Sequence, residues 1–148
     1  MKVITKRTDY AIRALLVLAA NRDGFISAKR ISQLEKIPHQ FLRGVLQRLV
    51  GSGIVESKEG FGGGVKLSKD PAEVKVIEII RIFQGEIEFS PCIFRGIECP
   101  NRQTCVLRSE IKRIESLVEK EFEELTIKKL SAKTVGTNSA RNGTDDVS

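Results

Sequence analysis

All three cysteines of the chain lie in one stretch, CIFRGIECPNRQTC, at Cys92, Cys99 and Cys105. Their spacing is C-x6-C-x5-C. Structural zinc is held mostly by close C-x2-4-C pairs, and dithiol redox chemistry uses C-x-x-C. Neither pattern is present. Pro91 precedes Cys92, Pro100 follows Cys99, and a glycine and charged residues fill the gaps. That composition reads as a loop. A loop can wrap a cluster whose thiolate ligands need no helical register. The residues point first to an iron–sulfur cluster, with zinc or unligated thiols as the alternatives. Three thiolates leave a fourth ligand to be found.

A second set of residues has the chemistry to read DNA. Gln40, Arg43 and Gln47 recur at i, i+3 and i+7, one stripe of a helix. Gln and Arg can make bidentate contacts to adenine and guanine edges in the major groove. His39 falls in the first turn of the same helix, where a base-edge or phosphate contact is open to it. Ser27, Lys29 and Arg30 begin the preceding helix and could hold a phosphate with backbone N–H groups and charge. The glycine run GFGGG lacks the Lys-Ser/Thr of a phosphate loop and the spacing of a dinucleotide fingerprint. As the tip of a hairpin it makes sense. Gly62 and Gly63 allow close approach to a sugar-phosphate backbone, and Lys58 and Lys66 flank the loop.

The elements that must position these residues follow from periodicity. Thr5 to Asn21 reads as a helix capped by Thr5 or Thr8, with a middle, AIRALLVLAA, apolar nearly all round. Ser27 caps a short helix, Ala28 to Glu35, that should bury Ile31 and Leu34. Pro38 suits the first turn of a third helix running to Ser52, with Phe41, Leu42, Val45, Leu46 and Leu49 inward. Two short strands around the glycines form a hairpin. Val76 to Gln84 is amphipathic and stops at Gly85. Val106 to about Leu130 predicts one long helix with a heptad-like stripe at Leu107, Ile111, Ile114, Val118 and Leu125. Residues 131–148 have no apolar period and are expected to be disordered. The fold class expected is mainly α with a small β-hairpin. Helix, short helix, tight turn, helix and hairpin is the winged helix-turn-helix order.

Charge supports the same division. Residues 1–84 hold 15 Lys and Arg against 8 Asp and Glu, while residues 85–148 hold 10 against 11. Any polyanion should therefore bind the first half. No run of eighteen apolar residues exists, so no membrane span is expected. The first residues, MKVITKRTDY, lack an apolar signal region. A cytoplasmic, reducing setting is expected, where thiol or metal chemistry outweighs structural disulfides. No pairing of nucleophile and base is evident, so an enzyme is not expected.

TDYAIRALLVLA, then IPHQFLRGVLQRLVGSGIVESKEGFGGGVKLSK, then three cysteines just before a long helix together resemble the IscR/NsrR-type regulators of the Rrf family. The resemblance covers roughly residues 1–130. It implies a homodimer joined through the long helices, each subunit carrying a cluster on Cys92, Cys99 and Cys105. One branch of the family has a histidine three residues after the last cysteine; here that position is Arg108, which as a cation cannot ligate iron. The other branch uses an aspartate near the start of the first helix, reaching from the partner subunit, and Asp9 matches it. This branch favours a 4Fe–4S cluster, with 2Fe–2S open.

The function expected is a dimeric, sequence-specific DNA-binding regulator, a repressor. Its affinity for an operator in double-stranded DNA would follow a cluster that senses nitric oxide, oxygen or redox state, or iron. The parts expected are a DNA-binding domain (1–84), a cluster loop (85–105), a dimerisation helix (106–130) and a disordered tail (131–148). The alternatives are a small iron–sulfur electron carrier and a metal-free thiol switch that binds DNA.

Overall fold

A computed structural model describes residues 2–89, 99–101 and 103–141. Helix α1, Lys6–Ala20, starts at the Thr5 cap and runs through the centre. Ala11, Ala14, Leu15 and Leu18 are all but sealed from solvent. Alanines on this face let neighbours approach closely, and α1 touches the next two helices, the hairpin and two later helices.

Helix α2, Ala28–Glu35, begins at Ser27, whose hydroxyl accepts the Arg30 N–H at 3.1 Å. Lys36 takes a left-handed conformation (φ 53°) and turns the chain. The Ser32 hydroxyl donates to the Ile37 carbonyl at 2.6 Å and fixes that turn. Helix α3, His39–Gly51, follows with Pro38 as its N-cap residue, one position before the expected first turn. Leu42, Val45, Leu46 and Leu49 seat α3 against α1 and α2.

Two side chains expected inside are outside. Leu34 is 47% and Phe41 60% exposed. Two-turn α2 seats only Ile31 in the core, and Leu34 falls past its edge. Phe41 sits one step off the Leu42–Val45–Leu49 stripe, which rotates it out of the core into a surface cleft.

Strands β1, Val55–Lys58, and β2, Gly64–Leu67, pair antiparallel with Val55 opposite Leu67 and Lys58 opposite Gly64. Paired bonds between Ile26 and Val65, 2.9 and 2.8 Å, fasten the hairpin to the segment before α2. A turn of 3-10 helix at Pro71–Glu73 leads to α4, Val76–Gln84, which ends at Gly85. Ile79 belongs to the main core. Val76, Ile77 and Ile80 form a second core with Ile87, against which Val118, Phe122 and Leu125 pack. Helix α4 thus joins the two halves.

The expected single helix from Val106 to Leu130 is two. Helix α5 spans Val106–Glu124 and breaks at Leu125, which is extended. Leu125 accepts the Val76 N–H at 2.8 Å, and the Ile127 N–H donates to Val74 at 2.9 Å. Helix α6 runs from Ile127 to Arg141. The break wins because it places Ile127, fully buried, in the core, worth about 1.5–3 kcal/mol. Thr126 then accepts the Lys129 N–H at 3.2 Å in the new helix. Residues 131–141, expected without structure, continue this helix, while 142–148 lie outside the described residues.

Candidate nucleic-acid interface and cysteine segment

The outer stripe of α3, Gln40, Arg43 and Gln47, is exposed, as is His39 at its start. Ala28, Arg43, Leu46, Gln47, Val50, Ser57 and Val65 line one open cleft of about 270 Å³. The start of α2, the face of α3 and the hairpin therefore front the same space. Ser27, Lys29 and Arg30 lie at the α2 end of it. Ser27 holds the helix start, and Lys29 and Arg30 are exposed in the first turn.

Gln40 borders a second cleft of about 250 Å³, lined also by Arg7, Phe41, Gly44, Arg48 and Phe83. Here the exposed Phe41 finds its setting, and the Arg48 guanidinium lies 5.8 Å from the Phe83 ring centre. Arg7 of α1 and Arg48 of α3 itself add cations that the linear stripe does not include.

The hairpin carries Lys58 and Lys66 on opposite strands. Their ammoniums sit 5.8 and 5.3 Å from the Phe25 ring centre. Lys66 also faces Glu56 across the ladder at 3.6 Å. The pair is half in solvent, so it is worth little and can open to a phosphate. Gly62 has φ 73°, and a Cβ on Gly63 would collide with the Lys58 carbonyl oxygen. Phe25, the platform under both lysines, has no signal in the sequence pattern.

Of the three cysteines, Cys92 lies outside the described residues. Cys99 and Cys105 are free thiols, each half-buried. Cys105 is the N-cap of α5, and its Sγ accepts the Arg108 N–H at 3.4 Å. The sulfur thereby takes up one of the N–H groups that a helix leaves free at its start. Arg108 is thus near the cysteine through its backbone. Asp9 is half-exposed in the first turn of α1, and its Oδ2 accepts from Arg13 Nε at 2.9 Å. That contact raises the Arg13 pKa above its ordinary value; Glu35, 3.8 Å from the same guanidinium, adds to it. Among the described residues Asp9, Cys99 and Cys105 do not gather into one metal-binding group. A ligand expected from the partner subunit would not be gathered in a single chain.

Two polar groups position this machinery, and the sequence reading passes over both. Gln84, the last residue of α4, accepts from the Thr5 N–H at 3.0 Å and the Thr8 hydroxyl at 2.7 Å. Its amide donates to the Val3 carbonyl at 2.7 Å. It thereby ties the start of α1, and Asp9 with it, to α4. Glu115 is 4% exposed on the inner side of α5. Its carboxylate accepts from the Phe89 N–H at 2.9 Å and from Lys112 Nζ at 2.9 Å. Burial alone would push this carboxyl up; the Lys112 and Phe89 donors together outweigh it and hold it below its ordinary value. Glu115 thus pins the chain to α5 just before the cysteine segment, whose last residue, Cys105, caps the start of the same helix. An acidic residue on the inner face of an amphipathic helix, i+3 from a lysine, is the only trace of this in the sequence.

A family model described as "Rrf2: Iron-dependent Transcriptional regulator" matches residues 4–133. The HTH-type transcriptional regulator NsrR of Bacillus subtilis is 35% identical over 107 residues, 70% of this chain and 68% of that protein. The HTH-type transcriptional repressor NsrR of Streptomyces coelicolor is 30% identical over 135 residues, 90% of each. Among solved structures, CymR, the global cysteine regulator of B. subtilis, superposes with a TM-score of 0.75 at 25% identity, covering 90% of this chain and 98% of that one.

Proposed function

The chain belongs to the Rrf2 family of transcriptional regulators, and from that premise we propose that it is a homodimeric repressor whose hold on its operator follows the state of an iron–sulfur cluster. The observation that carries this reading is the shared cleft of α2, α3 and the hairpin, with Arg43 and Gln47 on its wall. Gln40, Arg43 and Gln47 read base edges in the major groove. Ser27, Lys29, Arg30, Lys58 and Lys66 hold the flanking backbone, His39 contacts it from the first turn of α3, and Gly62 and Gly63 let the hairpin tip come close.

The donor chemistry fits a cluster. Two soft sulfur donors, Cys99 and Cys105, are free of any disulfide, and Cys105 caps the start of α5. Cys92, Cys99 and Cys105 of one subunit and Asp9 of the other would hold it, with 4Fe–4S favoured over 2Fe–2S. When bound, the cluster supplies iron–ligand bonds that nitric oxide, oxygen or iron loss can break. Asp9 must first relinquish or share its Arg13 contact, and a carboxylate is a harder ligand than thiolate, so this is the weak side of the site. Release of Asp9 would act at the start of α1, which Gln84 ties to α4.

Outward-facing apolar side chains on α5 support the dimer. Val106, Leu107, Ile114 and Leu117 are all exposed in the single chain. Two reading heads must meet half-sites roughly 34–36 Å apart, so a small change in their pose releases DNA. Converting a mostly bound regulator to a mostly free one needs about 5.5 kcal/mol of differential stabilisation. Making or breaking a few iron–ligand bonds would be of that scale.

The test is anaerobic purification. The protein should be brown, with about four iron and four sulfide per chain for a 4Fe–4S cluster. Cys105→Ser should lose the colour yet keep the α5 cap, because serine caps well. Operator binding should differ between cluster-bound and stripped protein. Stoichiometric zinc, no metal at all, or identical binding with and without the cluster would overturn the reading.

A further inference from the structure

Phe61 stands at the hairpin tip and is wholly exposed, at 107% of its reference area. A single exposed apolar side chain usually needs no explanation. Three features set this one apart. The turn around it is built for glycine alone: Gly60 and Gly62 on either side have φ 87° and 73°, and a Cβ on Gly63 or Gly64 would strike the backbone. From residue 60 to residue 64, Phe61 is the only residue with a side chain. Beneath it the hairpin is rigid. The Gly63 N–H closes onto Gly60 at 3.0 Å, the Ile26–Val65 bonds fasten the base, and Val65 and Leu67 are buried. Finally, Lys58 and Lys66, held over Phe25, put positive charge on the shoulders of the tip.

We propose that Phe61 is an apolar wedge, entering a base step from the minor groove beside each half-site and kinking the operator there. This rests on the DNA-binding reading above. With α3 in the major groove, the hairpin reaches the adjacent backbone and minor groove. That groove is about 6 Å wide, and a turn that is glycine except for one ring has little else to obstruct its entry. A phenyl ring offers phosphate no hydrogen bond; its favourable surface in a duplex is the face of a base. Phe is among the side chains that unstack base steps and bend duplexes by roughly 20–90°. Unstacking is easiest at TA and CA/TG steps, so Phe61 selects such steps without a hydrogen bond to any base.

The experiment uses the full chain, purified anaerobically, and a duplex that the wild type selects from a random pool. End-to-end energy transfer reports bending, and 2-aminopurine at the step under the hairpin reports unstacking. The wild type should bend the duplex and brighten the 2-aminopurine. Phe61→Ala should keep Arg43-dependent base preference, lose both signals and bind about 5–150-fold more weakly. Phe61→Leu should retain part of the bend. Phe61→Lys should recover affinity through charge, with a steeper salt dependence, but not the unstacking. Bending and fluorescence unchanged in Phe61→Ala, or fully retained in Phe61→Lys, would overturn the wedge while leaving DNA binding intact. A wild type that selects no sequence would overturn the DNA-binding reading, and the wedge with it.

Discussion

Replacing Glu115 with alanine tests whether the ends of the cysteine segment are clamped to α5. The hydrogen bond from the Phe89 N–H to a charged, buried acceptor contributes about 1.5–3 kcal/mol net. Lys112 is half in solvent, so its ion pair adds no more than about 0.5 kcal/mol. The expected loss is therefore about 1.5–3.5 kcal/mol. For a chain of this length each kcal/mol lowers the melting midpoint by about 2–4 °C, giving about 3–14 °C. Glu115→Gln keeps an acceptor for Phe89 and removes the charge, so it should lose about half as much. Urea melts at one fixed protein concentration measure this, because dimerisation would otherwise shift the midpoint. The pH dependence has a definite sign. The folded carboxyl lies below its ordinary value, so its stabilisation is complete above that ordinary value. It is lost as pH falls through the lower folded value. The wild type should lose its advantage over Glu115→Gln in that window, and the two should converge in acid. A loss under about 0.5 kcal/mol for Glu115→Ala, or a constant gap between wild type and Glu115→Gln down to acid, would refute the clamp.

Arg43→Ala should cost about 1–3 kcal/mol of operator affinity and relax base preference at one position of each half-site; equal weakening on all sequences would make Arg43 a phosphate contact. Asp9→Ala should leave a cluster that forms but decays faster in air, read by absorbance; an unchanged spectrum and lifetime would mean another group fills the site. Leu107→Glu with Ile114→Glu should give a folded monomer by sedimentation, with operator affinity reduced at least 100-fold as the two heads lose their linkage, on the order of the avidity gained by joining two binding modules.

The reading half was legible because its rules are local. Ser27 before Ala28, Gly85 after Gln84 and the 3.6-residue spacing of Leu42, Val45 and Leu49 each act within a few residues. The C-terminal half was less so. The stripe from Leu107 to Leu125 fits a continuous helix equally well, and nothing nearby forbids one. The break at Leu125 depends on the edge offered by Val74 and Val76, about fifty residues earlier. Phe41 and Leu34 were misplaced for a related reason: helical spacing gives the face of a residue, whereas its burial depends on what packs there.

The candidate site divides the same way. The spacing of Cys92, Cys99 and Cys105, the Gln40–Arg43–Gln47 stripe and the glycine run are written in residue order, since donor type and helical phase are one-dimensional properties. The Phe25 platform, the Gln84 tie and the Glu115 clamp arise between residues distant in the chain. Amino-acid order alone named the groups proposed to ligate metal or read a duplex. Only packing decided which of them are held and which are bare, because burial and hydrogen-bond partners are set by elements that meet only after the chain has folded.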